Sequence, residues 1–182
     1  MVFRRRGKMV IWITGLSGTG KSTLARKLAE NLNLSELNAF VVDGDDVRTL
    51  FQADKGEHNY SIEGRRANAE RLVRLSKYIE KQGFNVICAT LCIFDDILKQ
   101  NLSTFDEYIQ IHLSASMQTL ADRDIKGIYK IRSIAEKKEF GPVVGVDIDY
   151  IAPEGSHLEF DTDVCSTEFI ANRILSYISK RI

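Results

Sequence analysis

The stretch that decides the fold is WITGLSGTGKSTLARKL, which runs from Trp12 to Leu28. An apolar segment leads into a glycine-rich turn with the spacing G-x-x-x-x-G-K-S, and the residues after the turn have helical spacing. Glycines let backbone N–H groups turn toward an anion, and the start of a helix already favours negative charge. The pattern therefore predicts a loop that holds nucleotide phosphates between a strand and a helix.

Two side chains of this loop have roles that the pattern itself predicts. Lys21 is expected to reach the β- and γ-phosphates, and the Ser22 hydroxyl is expected to bind Mg²⁺. A tight turn that matches by chance is disfavoured, because a strand precedes the turn and a helix follows it. The residues expected to contact the nucleotide are Gly15, Ser17, Gly18, Thr19, Gly20, Lys21, Ser22 and Thr23.

Outside this loop, apolar runs alternate with amphipathic stretches. The predicted strands are MVIWITG, NAFVVDGD, FNVICATL, EYIQIHLS and LEFDTD. The predicted helices are STLARKLAENLNL, SIEGRRANAERLVRLSKYIEKQG, DDILKQNLSTF, SMQTLADRD and CSTEFIANRILSYISKR, with Ser61 as N-cap and Gly83 as C-cap of the long one. This alternation predicts a single three-layer α/β domain over residues 1–182 with a mostly parallel sheet.

The composition excludes several classes of protein. Lys+Arg and Asp+Glu both total 25, so no overall field favours nucleic acid or a membrane surface. No apolar run approaches a membrane span, and Arg4–Arg6 are interpreted as a solvated basic arm. We therefore expect a cytoplasmic protein with no nucleic-acid or membrane partner. Cys88, Cys92 and Cys165 form no C-x-x-C pair, which disfavours a zinc site or a disulfide framework.

The segment DGDDVR follows the second predicted strand. Ligands of open α/β sheets sit beyond the carboxyl ends of the strands, so Asp43 and Asp45 are expected to face the phosphate loop. One carboxylate can accept a proton from an attacking hydroxyl while its neighbour holds metal-bound water. Arg48 offers a planar fork to a second anion, which indicates an acceptor that is itself phosphorylated or sulfated.

The start of the long predicted helix carries further polar side chains. Arg65 and Asn68 are spaced by three residues, so they share part of one helix face and are candidates for an acceptor pocket. Tyr60, just before this helix, could stack on a base. The arginines farther along the helix are interpreted as a solvated face.

The region from about residue 125 to 150 is glycine-punctuated, basic and without clear periodicity, as in segments that close over phosphates. Arg123, Lys126 and Lys130 are its candidate phosphate-side residues. His112 is interpreted as a packed strand residue. The base-reading signature N-K-x-D of signalling GTPases is absent, which favours a small-molecule kinase.

Four motifs together resemble the adenylylsulfate kinase family. They are GLSGTGKST, DGDDVR, RDIKGIYK and DYIAPE, in this order, and the resemblance covers Met9 to about Asp161. The phosphate loop alone is generic, whereas the ordered set is specific. The resemblance implies a P-loop kinase with a lid at about residues 125–150, and a homodimer, because family members are commonly dimers.

By this resemblance, the γ-phosphate of ATP is transferred to the ribose 3′-hydroxyl of adenylylsulfate, with ATP and Mg²⁺ as cofactors. Asp43 is then the base or orients the water on Mg²⁺, Asp45 supports the acceptor, and Lys21 acts on the transferred phosphate. Ser22 and Asp43 are the implied metal ligands.

The resemblance also implies the binding residues. On the acceptor side they are Arg48, Arg65 and Asn68 at its phosphosulfate and ribose, Tyr60 and Phe140 on either side of its base, and Leu91, Cys92 and Lys130 around the same pocket. On the ATP side, Arg123 lies over the adenine and Lys126 belongs to the lid.

Most departures from the family pattern fall near the expected acceptor pocket. Asp46 stands where asparagine is usual, Cys92-Ile93 replace a serine-proline pair, and Asp95 and Asp96 stand where an arginine normally follows. The lid reads Ile131-Arg132 instead of lysine-alanine, and FGPVVGVD is longer than the usual FTGI. Similar proteins in capsule-building bacteria phosphorylate cytidine diphosphoramidate and share the phosphate loop and the DGD acids.

Adenylylsulfate is the leading predicted acceptor, because Arg48, Arg65 and Asn68 are all present, and cytidine diphosphoramidate is the alternative. A nucleotide-gated regulatory module is a second class of function, but it leaves Arg48 and Arg65 without a role. A degenerate family member with a structural role is disfavoured by the intact Lys21, Ser22, Asp43 and Asp45.

Overall fold

The computed structural model describes residues 8–124, 127–129 and 141–181. Within these ranges, five strands form one sheet in which all neighbouring pairs are parallel. The strands are β1 (Met9–Thr14), β2 (Ala39–Asp43), β3 (Asn85–Thr90), β4 (Glu107–Ser114) and β5 (Leu158–Asp161). Their order is β2-β3-β1-β4-β5, which puts β1 at the centre. The predicted α/β fold with a mostly parallel sheet is confirmed.

Helices connect these strands. Over the described ranges they are α1 (Lys21–Leu34), α2 (Gly44–Leu50), α3 (Ile62–Lys81), α4 (Asp95–Thr104), α5 (Met117–Asp122) and α6 (Thr167–Ser179), with a 3₁₀ turn at Glu57–Tyr60. The Ser61 hydroxyl accepts the Gly64 N–H at 3.2 Å and so caps α3 as predicted. The cap at the other end is Gln82, and the predicted Gly83 follows it directly.

The core lies on both faces of the sheet because alternate strand residues point to opposite sides. Met9, Ile11 and Ile13 of β1 join one buried cluster with the apolar faces of α1 and α6. Val10 and Trp12 join a second cluster with the apolar residues of α3 and α4. The sheet is thus the middle of three layers, and β1 is buried along its whole length.

The segment after β2 differs from the sequence prediction. The predicted strand NAFVVDGD ends at Asp43, and the following residues form the short helix α2. The Asp43 Oδ1 accepts the Asp45 N–H at 2.9 Å and caps this helix. Seven residues give too short a periodic pattern to identify such a helix from the sequence, whereas the cap decides it locally.

The structure also shows how deeply the three cysteines and His112 are buried. Cys88 and Cys92 are buried free thiols and Cys165 is a half-buried one. His112 is buried in β4. In the described ranges, no helix is both long and apolar enough to cross a membrane.

Candidate active site

The carboxyl ends of the strands open onto a cavity of about 1230 Å³, as expected for an open α/β sheet. The predicted site residues that line it are Ser17, Gly18, Thr19, Gly20, Lys21, Ser22, Thr23, Asp43, Asp45, Arg48, Tyr60, Arg65, Asn68, Leu91 and Arg123. The cavity therefore brings the phosphate loop and the predicted acceptor residues together. Gly15 and Cys92 do not line it. The predictions for Lys126, Lys130 and Phe140 lie outside the described residues.

The phosphate loop owes its shape to one close approach at the end of β1. Gly15 has φ +151°, and a Cβ atom there would lie 2.2 Å from the Leu113 carbonyl oxygen. A side chain at this position would collide with the backbone of β4, so the turn requires glycine. Gly15 shapes the loop from behind, although it does not line the cavity.

The start of α1 is suited to an anion. Gly20 is its N-cap, no side chain caps its N–H groups, and no acidic residue lies in its first turn. By contrast, α2, α3, α5 and α6 are each capped by an aspartate or serine of their own. Because the N-terminus of α1 also lines the cavity, it can bind the phosphates of a nucleotide.

The residues around this end also fit Mg²⁺. Ser22 and Asp43 both line the cavity and offer a hydroxyl and a carboxylate, the hard oxygen ligands that Mg²⁺ prefers. Among the described residues, no group of three or more His, Cys, Asp and Glu side chains could hold a metal. Mg²⁺ in kinase sites is held by one or two protein ligands together with substrate phosphates, so this donor set is sufficient.

Lys21 Nζ donates to the Leu16 carbonyl at 2.6 Å.

Two acids stand at the end of β2. Asp43 is buried, and its carboxylate caps α2 while lining the cavity. Asp45 is exposed in the first turn of α2 and lines the same cavity. An aspartate that is oriented by capping a helix and lies beside a phosphate loop can accept the proton of an attacking hydroxyl.

Arg48 and Arg65 both lie over the Tyr60 ring. Their guanidinium carbons lie 4.8 Å and 5.8 Å from its centre. Arg48 donates to the Asn59 carbonyl at 2.6 Å, and Arg65 donates to the carbonyls of Tyr60 and Pro142 at 2.9 Å and 2.7 Å. The Tyr60 hydroxyl donates to the Asp54 carbonyl at 3.0 Å, which fixes the ring beside the guanidiniums.

These two arginines are desolvated positive charges, and a carboxylate that acts electrostatically on both is that of Asp45. Neither forms a salt bridge with any described residue, and Arg48 is only 7% exposed. Burial lowers the pKa of Arg48 and lowers that of Arg65 to about 10, and the charge of Arg48 adds to the effect on Arg65. Desolvated cations in a cavity are stabilised by an anion, so this end is suited to a charged ligand.

Asn68 lies beside this pair on α3. Its Nδ2 donates to the Gly44 carbonyl at 3.2 Å, which ties α3 to the start of α2. Its Oδ1 is buried and has no hydrogen-bond partner in the described part of the chain. A buried hydrogen-bond acceptor without a partner costs free energy. A hydroxyl or N–H group of a ligand in the cavity could donate to this oxygen and remove that cost.

The departures from the family pattern after β3 fold away from the cavity. Leu91 lines the cavity, whereas Cys92 packs in the second core cluster. Burial raises the pKa of the Cys92 thiol to about 11, so it stays a neutral core residue. Asp95 pairs with Lys99, and Asp96 forms two hydrogen bonds with Arg66, at 2.8 Å and 3.1 Å.

Sequence reasoning missed Tyr129 and the loop between β5 and α6, both of which line the cavity. In this loop Asp163 accepts the Ser116 N–H at 3.1 Å, and Arg123 donates to the Thr162 carbonyl at 2.7 Å. The loop follows the carboxyl end of a parallel strand, so the rule that located Asp43 could have found it. Tyr129 lies within the motif RDIKGIYK, but nothing in the motif singled it out from its neighbours.

The sequence matches the family described as adenylylsulphate kinase over residues 7–161. The chain is 36% identical over 145 residues to the cytidine diphosphoramidate kinase of Campylobacter jejuni, covering 80% of this chain and 81% of that protein. It is 34% identical over 171 residues to the adenylyl-sulfate kinase of Bacillus licheniformis, covering 93% and 84%.

A solved structure gives the same result. The APS kinase CysC of Mycobacterium tuberculosis, in complex with AMPPNP and APS, matches with a TM-score of 0.82 and 25% identity, over 97% of this chain and 99% of that one. The family match extends over most of the chain, and the fold and the phosphate loop agree with it. This chain belongs to the adenylylsulfate kinase family and is a P-loop kinase that transfers phosphate to a hydroxyl acceptor.

Proposed function

We propose that this chain transfers the γ-phosphate of ATP to the ribose 3′-hydroxyl of adenylylsulfate, giving 3′-phosphoadenylylsulfate for sulfate assimilation. The observation that carries this proposal is the pair Arg48 and Arg65, which are desolvated, form no salt bridge with a described residue and share a cavity with the phosphate loop. Guanidiniums bind phosphate and sulfate oxygens in a planar fork, and both of these guanidiniums lie over the Tyr60 ring at the same end of the cavity.

The proposed roles follow from where each group lies. The loop and the start of α1 bind ATP, and Ser22 and Asp43 would hold Mg²⁺, which would neutralise charge on the phosphates. Asp43 accepts the proton of the acceptor hydroxyl, and Asp45 orients the acceptor. Asn68 Oδ1 accepts a hydrogen bond from the acceptor, which satisfies that buried oxygen.

Cytidine diphosphoramidate is the second candidate acceptor. The relative from Campylobacter jejuni, which bears that name, is 36% identical to this chain. The position after β3 also favours cytidine diphosphoramidate. The family pattern has an arginine there, whereas this chain has Asp95 and Asp96, which pair with Lys99 and Arg66 and do not line the cavity. The cavity therefore lacks the positive charge that this family arginine would add. Both acceptors carry a substituted phosphate that suits two arginines.

Turnover of the two acceptors side by side tests the choice. ADP release is measured with purified enzyme, ATP and Mg²⁺, and adenylylsulfate or cytidine diphosphoramidate at matched concentrations. The proposal expects the higher kcat/KM with adenylylsulfate. Rapid turnover of cytidine diphosphoramidate alone would contradict the adenylylsulfate assignment and leave the kinase assignment standing, whereas ADP release that needs no acceptor would contradict both.

The expected assembly and location are proposals too. We propose a cytoplasmic homodimer of single-domain chains, each with a lid at about residues 125–150, of which residues 127–129 and 141–150 are described. Light scattering after size exclusion measures the mass directly. A monomer at micromolar concentration would contradict the dimer.

A further inference from the structure

Tyr129 contacts the phosphate loop from a distant part of the chain. Its hydroxyl donates to the Ser17 carbonyl at 2.9 Å, although the two residues are 112 positions apart. Tyr129 is half-buried, and both residues line the cavity. Tyr129 belongs to the motif RDIKGIYK, but the roles proposed for that motif fall on Arg123, Lys126 and Lys130 and assign nothing to the tyrosine.

The backbone of Tyr129 is itself held in place. The Asp124 carboxylate accepts the Ile128 N–H at 2.7 Å through Oδ1 and the Tyr129 N–H at 2.9 Å through Oδ2. Arg123, next to Asp124, donates to Thr162 in the loop after β5. The tyrosine is therefore presented to the phosphate loop by a segment with anchors of its own.

The contact with Ser17 controls the direction of a neighbouring N–H group. The described chain contains no cis peptide bond, and in a planar trans peptide the C=O and the following N–H point in opposite directions. Holding the Ser17 carbonyl thus also orients the Gly18 N–H. In the described part of the chain that N–H donates to no protein acceptor, so it is free for an anion in the loop.

The tyrosine keeps its proton under ordinary conditions. Burial raises the pKa of Tyr129 to about 12, and the Asp124 carboxylate adds to the effect. The hydroxyl is a donor throughout the range in which a kinase is assayed. A deprotonated Tyr129 could not donate to the Ser17 carbonyl, so the hydrogen bond between them would be lost.

We propose that Tyr129 is a positioning residue, whose hydroxyl holds the Ser17–Gly18 peptide in the orientation in which the loop binds ATP. The proposal rests on the proposed function only in that the loop binds ATP, and it holds for either acceptor. Tyr129 acts through the backbone of the loop and need not touch the reacting atoms.

The substitution Tyr129→Phe tests this by removing one oxygen while keeping the ring. Calorimetric titration with ATP and Mg²⁺ is expected to give a Kd about three- to tenfold higher than the parent's, the usual effect of one lost hydrogen bond. KM for ATP should rise by the same factor, with KM for the acceptor unchanged. Tyr78→Phe is the matched control, because Tyr78 lies on α3, is 62% exposed and does not line the cavity.

Each outcome bears on the proposal separately from the function. If Tyr129→Phe binds ATP as tightly as the parent, the positioning role is overturned and the kinase assignment stands. An equal rise in KM for ATP and for the acceptor would indicate a general structural role and would also overturn it. A parent protein that binds no ATP would overturn this proposal together with the proposed function.

Discussion

Asp43 serves the fold and the proposed chemistry with the same carboxylate. Its Oδ1 accepts the Asp45 N–H and begins α2, while the side chain lines the cavity beside the phosphate loop. Because asparagine caps helices about as well as aspartate, the two roles can be separated by changing charge alone.

Asp43→Asn is expected to keep the fold and ATP binding but to lower kcat by about 100-fold or more, the usual contribution of a proton acceptor. Steady-state turnover and calorimetric ATP binding measure the two effects. Asp46→Asn is the control, because Asp46 is exposed in the same turn and does not line the cavity. Parent-like turnover in Asp43→Asn would contradict the catalytic role.

Arg65 and Arg66 are neighbours on α3 with different surroundings. Arg65 lines the cavity and has no salt bridge with a described residue, whereas Arg66 is half-exposed and paired with Asp96 outside the cavity lining. The pair allows a test in which the same change is made at adjacent positions.

Arg65→Gln is expected to raise KM for the acceptor about 10- to 100-fold, since hydrogen bonds to charged groups are the stronger ones. Kd for ATP should stay within about twofold of the parent value, because the phosphate loop is untouched. Arg66→Gln should leave both constants near the parent values. Similar acceptor KM values in the two variants would contradict an acceptor-binding role for Arg65.

At the scale of elements, the 3₁₀ turn and α3 are packed with no space between them. A Cβ atom at Gly64 would lie 2.3 Å from the His58 carbonyl oxygen. This close approach sets the position of the turn that carries Tyr60, and thus of the ring that both arginines contact.

Gly64→Ala is therefore expected to push the turn away from α3. We expect the free energy of unfolding to fall by about 1–3 kcal/mol, as for other overpacked sites. We also expect KM for the acceptor to rise by a larger factor, relative to the parent protein, than KM for ATP. Urea denaturation and steady-state kinetics measure these effects. Tyr78→Ala on the exposed side of α3 is the control, and unchanged acceptor KM in Gly64→Ala would contradict the packing argument.

At the scale of the whole molecule, β5 is held to β4 partly by a neutral histidine. His157 Nδ1 accepts the Gln110 N–H at 3.0 Å, and the His157 N–H donates to the Gln110 carbonyl at 2.9 Å. Burial lowers the pKa of His157, with Arg181 adding to the effect, and burial also lowers that of His112. Both favour the unprotonated ring in the folded state.

Stability is accordingly expected to fall as the solution is acidified. An unfolded histidine gains its proton near pH 6.5, while the folded rings resist it, so the free energy of unfolding should be constant above about pH 7.5 and decrease toward pH 5.5. Urea denaturation across this range measures the slope. His157→Gln should reduce the slope, and a slope equal to that of the parent protein would contradict the argument.

Local patterns predicted most of the elements because each depends on nearby residues. The apolar run before the glycine-rich turn became β1, and Ser61 capped α3 as expected. The helix α2 was missed, because its start depends on one side-chain hydrogen bond within a segment too short to show periodicity.

Acceptor-side details were harder to predict, because contacts between distant segments have no local signature. Cys92 was expected in the pocket, and the structure packs it in the core. Asp95 and Asp96 looked like added negative charge, but their partners Lys99 and Arg66 neutralise them. Tyr129 reaches Ser17 across 112 positions, a distance over which spacing says nothing.

The sequence by itself determined most strands and helices along the chain, the phosphate loop and the family, since each depends on dihedral preferences, periodicity or motif spacing within short stretches. Only the tertiary structure decided which charges meet. The parallel sheet brings its carboxyl ends to one edge, where Arg48 and Arg65 form no salt bridge with a described residue, whereas Arg66 pairs with Asp96 outside the cavity lining. Charge pairing depends on proximity and desolvation, which exist only after the chain has folded.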